Sequence, residues 1–131
     1  MKIIKFRAWN KAMRRMESWK KILNNDFLSD YGLEFLIDND DFVLTQFTSI
    51  TDKNKKEIYT GDIVKYQGRN YEVYFDEKYG CYALKTKTYR GEIEPLGHGG
   101  SSTKYSPYLW NWLSKKVEVV GDIYTTPELL K

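Results

Sequence analysis

The residues best suited to chemistry are few and lie apart. His98 is the only histidine and Cys81 the only cysteine in 131 residues. A nucleophilic triad needs a histidine within reach of a serine or cysteine, with a third group to orient it. No Gly-x-Ser-x-Gly elbow is present to supply that geometry. One histidine and one cysteine are too few for a zinc site. Carboxylates remain, and the run Asp38-Asn39-Asp40-Asp41 has the oxygen density of a calcium loop. Counted from Asp38, however, the fifth position is Phe42 and the sixth is Val43, where a calcium loop needs an oxygen donor and a glycine. The run reads as a solvated turn. The stretch Gly97-His98-Gly99-Gly100-Ser101-Ser102-Thr103-Lys104 has the composition of a phosphate cradle. It lacks the Gly-Lys-Ser/Thr order and the strand–helix frame that aim N–H groups at phosphates, so it reads as a flexible linker. Cys81, beside Gly80 at the start of a strand, is expected to be a small core residue. No catalytic, metal or cofactor site follows, and the expectation is a protein that is not an enzyme.

A basic and aromatic surface is more suggestive. Lys85, Lys87 and Tyr89 alternate along one strand, with Lys65, Arg69 and Arg90 in the neighbouring stretches. Such residues are candidate nucleic-acid contacts, the cations on phosphates and the tyrosine on bases. Lysines also guard edge strands against aggregation, and a net charge of only +3 favours that plainer reading. Tyr108, Trp110 and Trp112 form a candidate interface, since Trp and Tyr are favoured at protein contacts.

The elements that must carry these residues read as mainly β. Aromatic residues make up 16% of the chain and tyrosine alone numbers 11, which suits pleated, half-buried surfaces. Residues 2–9 alternate as a strand with Ile4, Phe6 and Ala8 on one face. Residues 11–23 fit two readings, an amphipathic helix carrying Ala12, Met16, Trp19 and Leu23, or the return arm of a hairpin. A short strand is expected at 33–37 and a better one at 42–50, with Val43, Thr45, Phe47 and Ser49 on one face. The polar run 51–56 is a turn, with Asn54 expected as its left-handed pivot. Short strands follow at 57–59, 62–67, 71–75, 81–89 and 117–124, with a short helix expected near 108–113. Thr126-Pro127-Glu128 reads as a helix start capped by Thr126. Gly61-Asp62-Ile63 recurs as Gly121-Asp122-Ile123. Both copies are expected to be strand starts held by turns. The pattern predicts a small antiparallel, SH3-like barrel with an N-terminal β lobe and short helical segments. It is one unit over 1–131, with a lobe at 1–50 and a barrel-like core at 57–124.

Three blocks carry a resemblance. Lys5-Phe6-Arg7-Ala8-Trp9, the segment 52–65, and Val117-Glu-Val-Val-Gly-Asp-Ile-Tyr-Thr-Thr-Pro-Glu-Leu-Leu130 resemble, in the same order, the YopX family of small phage- and prophage-encoded proteins. Residues 10–41 and 76–112 match it loosely. The family commonly has Asn-Gly where this chain has Asn54-Lys55, and Gly-Asn-Ile where it has Gly121-Asp122-Ile123. The resemblance implies a mostly β protein of the bacterial host cytoplasm and brings no catalytic residues. The absence of a long apolar run after the N-terminal charges fits a protein with no membrane segment. The expected function is that of a non-enzymatic accessory protein acting as a homo-oligomer, with itself and an unknown host or phage protein as partners. The alternative is a nucleic-acid-binding small barrel.

Overall fold

The computed structural model describes residues 4–24, 37–77, 80–87, 93–95 and 111–130. The chain divides into two compact units, Met1–Phe47 and Thr48–Lys131. The expected strand at 33–37 and the loop at 97–103 lie wholly or almost wholly outside the described residues.

In the first unit, β1 (Phe6–Asn10) pairs antiparallel with both β2 (Arg15–Glu17) and the first part of β3 (Phe42–Thr51). Helix α1 (Trp19–Asn24) follows β2 directly. The two readings of residues 11–23 are therefore realised one after the other, a hairpin arm and then a helix. Arg14, at a φ of 54°, turns the hairpin, and Asn10 Oδ1 accepts the Met13 N–H at 3.1 Å. Ser18 opens α1: its hydroxyl accepts the Lys21 N–H at 3.3 Å, as a helix cap should. Because the chain is extended as far as Glu17, the helical stripe through Leu23 does not form. Ile22 is the residue buried against Ala8, with Trp19, Phe42 and Leu44 around it, and Leu23 is exposed.

Glu17 is buried in this unit with its carboxylate intact. Asn10 Nδ2 and Arg15 Nε donate to Oε2 at 3.3 and 3.1 Å, and Lys21 Nζ stands 3.6 Å from Oε1. Burial pushes the Glu17 carboxyl up, but Asn10, Arg15 and Lys21 together outweigh it and hold the group below the ordinary value of 4.5. A carboxylate depressed in the folded state stabilises above its unfolded pKa and loses that contribution as pH falls through the folded value. The first unit should therefore weaken as pH drops below about 4.5. Glu17→Gln should flatten that part of the profile, which urea midpoints measured between pH 7 and pH 3 would show.

In the second unit, β4 (Glu57–Tyr59) neighbours β3. A five-stranded antiparallel half-barrel follows, in the order β8-β7-β6-β5-β9. Its strands are β5 (Asp62–Tyr66), β6 (Arg69–Asp76), β7 (Cys81–Lys87), β8 (Ile93–Pro95) and β9 (Glu118–Asp122). Helix α2 (Asn111–Ser114) and a 3-10 turn (Pro127–Leu130) complete the unit. The mainly β, barrel-like expectation holds. Gln67 and Gly68 both have positive φ, at 50° and 80°, the twist that a two-residue hairpin loop between β5 and β6 requires. The core is the concave face, built on Ile58, Val64, Tyr71, Val73, Leu84, Leu113 and Val117.

Four local expectations are corrected. First, the period-two alternation in β3 is interrupted: Ser49 has a φ of 69°, an irregularity within the strand, and the two residues before it, Phe47 and Thr48, are buried in succession. Second, the left-handed residue of the 52–56 turn is Lys55, at a φ of 66°, and not Asn54. Third, Gly121-Asp122 closes β9 rather than starting a strand. The two Gly-Asp-Ile segments lie antiparallel and side by side, with Asp62 opposite Asp122 and Ile63 opposite Gly121. Fourth, Thr126 stands at the cap position, where its carbonyl accepts the Leu129 N–H at 3.2 Å, but its side chain turns back to Asp122. Its hydroxyl accepts the Asp122 N–H at 3.2 Å and donates to the Asp122 carbonyl at 3.3 Å.

Candidate functional site

Among the described residues of the second unit, a concave feature lies where β3 ends, and it is organised by Asp52. This side chain is buried, only 4% exposed, in the most polar turn of the sequence. Its Oδ1 accepts the N–H groups of Asn54 and Lys56, each at 2.8 Å, and its Oδ2 accepts the Val119 N–H at 2.9 Å. The main chain closes the same turn, with Lys55 N–H donating to the Asp52 carbonyl at 2.9 Å and Asp52 N–H to the Lys56 carbonyl at 2.8 Å. Lys53 N–H donates to the Val117 carbonyl at 3.1 Å. One carboxylate thus folds the turn on itself and ties it to β9, 67 residues further along. Wrapping the chain so tightly forces one residue into the left-handed region, and that residue is Lys55.

Above this turn opens a cleft of about 530 Å³ lined by Ser49, Ile50, Thr51, Asp52, Lys53, Lys55, Ser114 and Lys115. Ser114 is the last residue of α2 and Lys115 follows it directly. Leu113, 1% exposed, anchors that helix in the core, and Lys116 N–H donates to the Leu113 carbonyl at 2.9 Å to turn the chain back. Lys53, Lys55 and Lys115 are exposed at the rim. The Lys53 ammonium stands 3.6 Å from the half-exposed Glu118 carboxylate, a surface pair worth about 0–1 kcal/mol. The cleft therefore offers ammonium and hydroxyl groups, while its one buried carboxylate already accepts three N–H bonds. Two of the four non-glycine residues with positive φ among the described residues, Ser49 and Lys55, line it. A lysine in the left-handed region costs about 1 kcal/mol that glycine would not. Lys55→Gly should raise the stability of the second unit by roughly 0.5–1 kcal/mol, less the entropy glycine adds to the unfolded chain. A small upward shift of the urea midpoint would register it.

The basic set expected from the sequence is split by the sheet. Lys65 and Lys85 occupy the outer, convex face: Lys65 is opposite Asn70, Lys85 is opposite Glu72, and Lys85 Nζ sits 4.5 Å over the Tyr74 ring. Arg69 has the other parity and lies beside Tyr71 on the core side of the sheet, 5.9 Å from its ring. Lys87 pairs with Ile93 at the end of β7, and Tyr89 and Arg90 lie outside the described residues. Of the aromatic set, Tyr108 and Trp110 also lie outside them, and Trp112 falls in α2. His98 lies outside as well. Cys81 is half-buried rather than a core residue, because it stands at the first position of β7 opposite Asp76. Burial, and after it the Asp76 charge, push its thiol upward, so it stays protonated at neutral pH. Burial similarly raises the Tyr82 hydroxyl and, with Asp76 and Cys81, that of Tyr74.

Sequence reasoning passed over Lys53, Lys55 and Lys115. Two of them sit in a run read only as a turn, and the third is more than fifty residues away. The local signal was the aspartate opening a lysine-rich turn, since a turn that tight must satisfy its own N–H groups.

The fold and cleft define a small, mostly β protein, with an open half-barrel carrying a basic cleft at one turn. The family described as YopX protein matches residues 5–131, so the chain belongs to the YopX family. Among solved structures, the crystal structure of protein EF1440 from Enterococcus faecalis is similar over 100% of both chains, with a TM-score of 0.57 and 22% identity. That likeness is one of fold. No curated protein matches the chain.

Proposed function

We propose that this is a non-enzymatic accessory protein of a phage or prophage, at work in the host cytoplasm through protein contacts, beginning with further copies of itself. Family membership supports the phage or prophage origin. The observation that carries the contact reading is the surface of the first unit. Ile4, Met13, Leu23 and Ile37 are each 60% or more exposed, while the buried cluster of the same unit consists of Ala8 and Ile22. A unit of this size buries little on its own, and exposed aliphatic side chains in such a unit fit a surface that is covered on association. No described helix is long and apolar enough to cross a membrane. Sedimentation or light scattering across micromolar concentrations should show a species larger than the monomer. Leu23→Lys combined with Ile4→Lys should shift it toward the monomer. A strict monomer throughout would remove the self-association.

The alternative reading, a nucleic-acid-binding barrel, is favoured by one arrangement: Lys65 and Lys85 share the convex face with Tyr74, two cations beside an aromatic ring. Single-stranded DNA or RNA titrated at low salt tests it, and the absence of any binding there would dismiss it.

A further inference from the structure

The cleft over the Asp52 turn has a chemistry of its own, independent of self-association. We propose that it is a binding site for a phosphate-bearing ligand. Three ammonium groups, Lys53, Lys55 and Lys115, ring a volume of about 530 Å³ whose walls add the hydroxyl-bearing Ser49, Thr51 and Ser114. That volume falls in the ordinary range for small-ligand pockets, about 300–1,000 Å³. None of the described residues that line it is an arginine. A planar carboxylate is best met by the guanidinium fork. Separate lysine point charges suit a compact group with several anionic oxygens, such as a phosphoryl group. The Asp52 oxygens in the wall are taken up by three backbone N–H groups, and the Lys53 ammonium is shared with Glu118 at 3.6 Å, so the attraction for an anion rests chiefly on Lys55 and Lys115.

The backbone around the cleft is also held out of its ordinary range. Ser49 and Lys55, the first and last residues that the 49–55 stretch contributes to the lining, both hold positive φ, at 69° and 66°. Strain of this kind persists where the surrounding structure enforces it and gathers at ligand sites. Position 55 would be more stable as glycine, and a lysine there places its charge at the cleft.

The phosphoryl group could belong to a small molecule or to a nucleic-acid backbone, and two probes separate these sources. The full chain, labelled with ¹⁵N, is titrated with inorganic pyrophosphate and with a single-stranded ten-nucleotide DNA at 50 mM salt. At least one probe should shift the amides of Ser49, Lys53, Lys55 and Lys115 and lose affinity as salt rises. Lys55→Gly and Lys115→Ala should each weaken binding by about tenfold, the loss of one charge-assisted contact. Lys55→Gly is expected to be at least as stable as the parent, so lost binding in it cannot be blamed on misfolding. Pyrophosphate acting alone points to a small phosphorylated ligand, and DNA acting alone to a strand. If neither probe moves these amides, the proposal is overturned. Binding that Lys85→Ala abolishes and Lys55→Gly leaves intact also overturns it, and assigns the ligand to the convex face.

Discussion

Asp52→Ala should destabilise the second unit by about 4 kcal/mol, a large share of the 5–15 kcal/mol that holds a typical domain folded. Three backbone N–H groups, of Asn54, Lys56 and Val119, lose their acceptor at once. Each buried donor left unmatched costs roughly 1–3 kcal/mol. The turn borders an open cleft, so water can reach Asn54 and Lys56 and reduce their share. Val119 is different. It belongs to β9 beside the irregularity where Ile63 pairs with Gly121 and Val64 with Val119, leaving Val120 as the extra residue. Its N–H is there matched by the side chain of Asp52, so that donor should bear most of the cost. Asp52→Asn should cost about half as much, because the amide oxygen can still serve two donors while its NH₂ meets the third N–H as a second donor. Urea denaturation of both variants gives the comparison. An alanine variant within 1 kcal/mol of the parent would mean that water replaces all three bonds, and that the turn does not depend on its carboxylate.

The same aspartate shows where sequence reading succeeds and where it stops. The run 51–56 is legible as a turn, because six polar residues with Asp and Asn cannot continue a half-buried strand. The strands around it are legible too. Alternation and punctuation place residues 57–59 as β4 and nearly fix both β5 and β7. What local pattern does not contain is which N–H group 67 residues away a carboxylate will meet. The pivot was misplaced for a related reason. Asparagine tolerates the left-handed region, but here Asn54 is held by its own N–H on Asp52 Oδ1, so the reversal falls on the next residue. In the first unit the helical spacing of Ala12, Met16, Trp19 and Leu23 was real as a pattern. Pairing of Met16 with Trp9 overrode it, since a strand partner is a tertiary fact. The cleft was illegible because its third lysine arrives with α2, anchored by Leu113 in a core that only the finished sheet creates.

Gly61→Val is expected to cost about 4 kcal/mol, against about 1 kcal/mol for Asp62→Asn next to it. Gly61 holds a φ of 87°, where an L residue is strained by about 1–2 kcal/mol and a β-branched one by more. The backbone cannot relax out of that conformation cheaply. The Gly61 N–H donates to the Val73 carbonyl at 2.8 Å, and its own carbonyl accepts the Ile123 N–H at 2.8 Å. Rotating φ would break both, at about 1 kcal/mol each. A Cβ here would also stand 3.1 Å from Tyr124 Cε2, so the ring must move aside. Asp62 is as deeply buried, but its Oδ2 accepts the Tyr59 N–H at 2.8 Å, a bond that an asparagine oxygen can keep. The recurrence of Gly-Asp-Ile does not extend this logic unchanged. Gly121 has no positive φ; a Cβ there would collide with Thr126 Oγ1 and stand 2.9 Å from Leu129 Cδ1. Gly121→Ala should therefore be partly rescued by Thr126→Ala with Leu129→Ala, which remove the colliding Oγ1 and Cδ1, whereas no neighbouring truncation should restore Gly61→Val beyond the share owed to Tyr124. Equal cost for Gly61→Val and Asp62→Asn in urea titrations would show that the left-handed turn at Gly61 is not what fixes the two segments side by side.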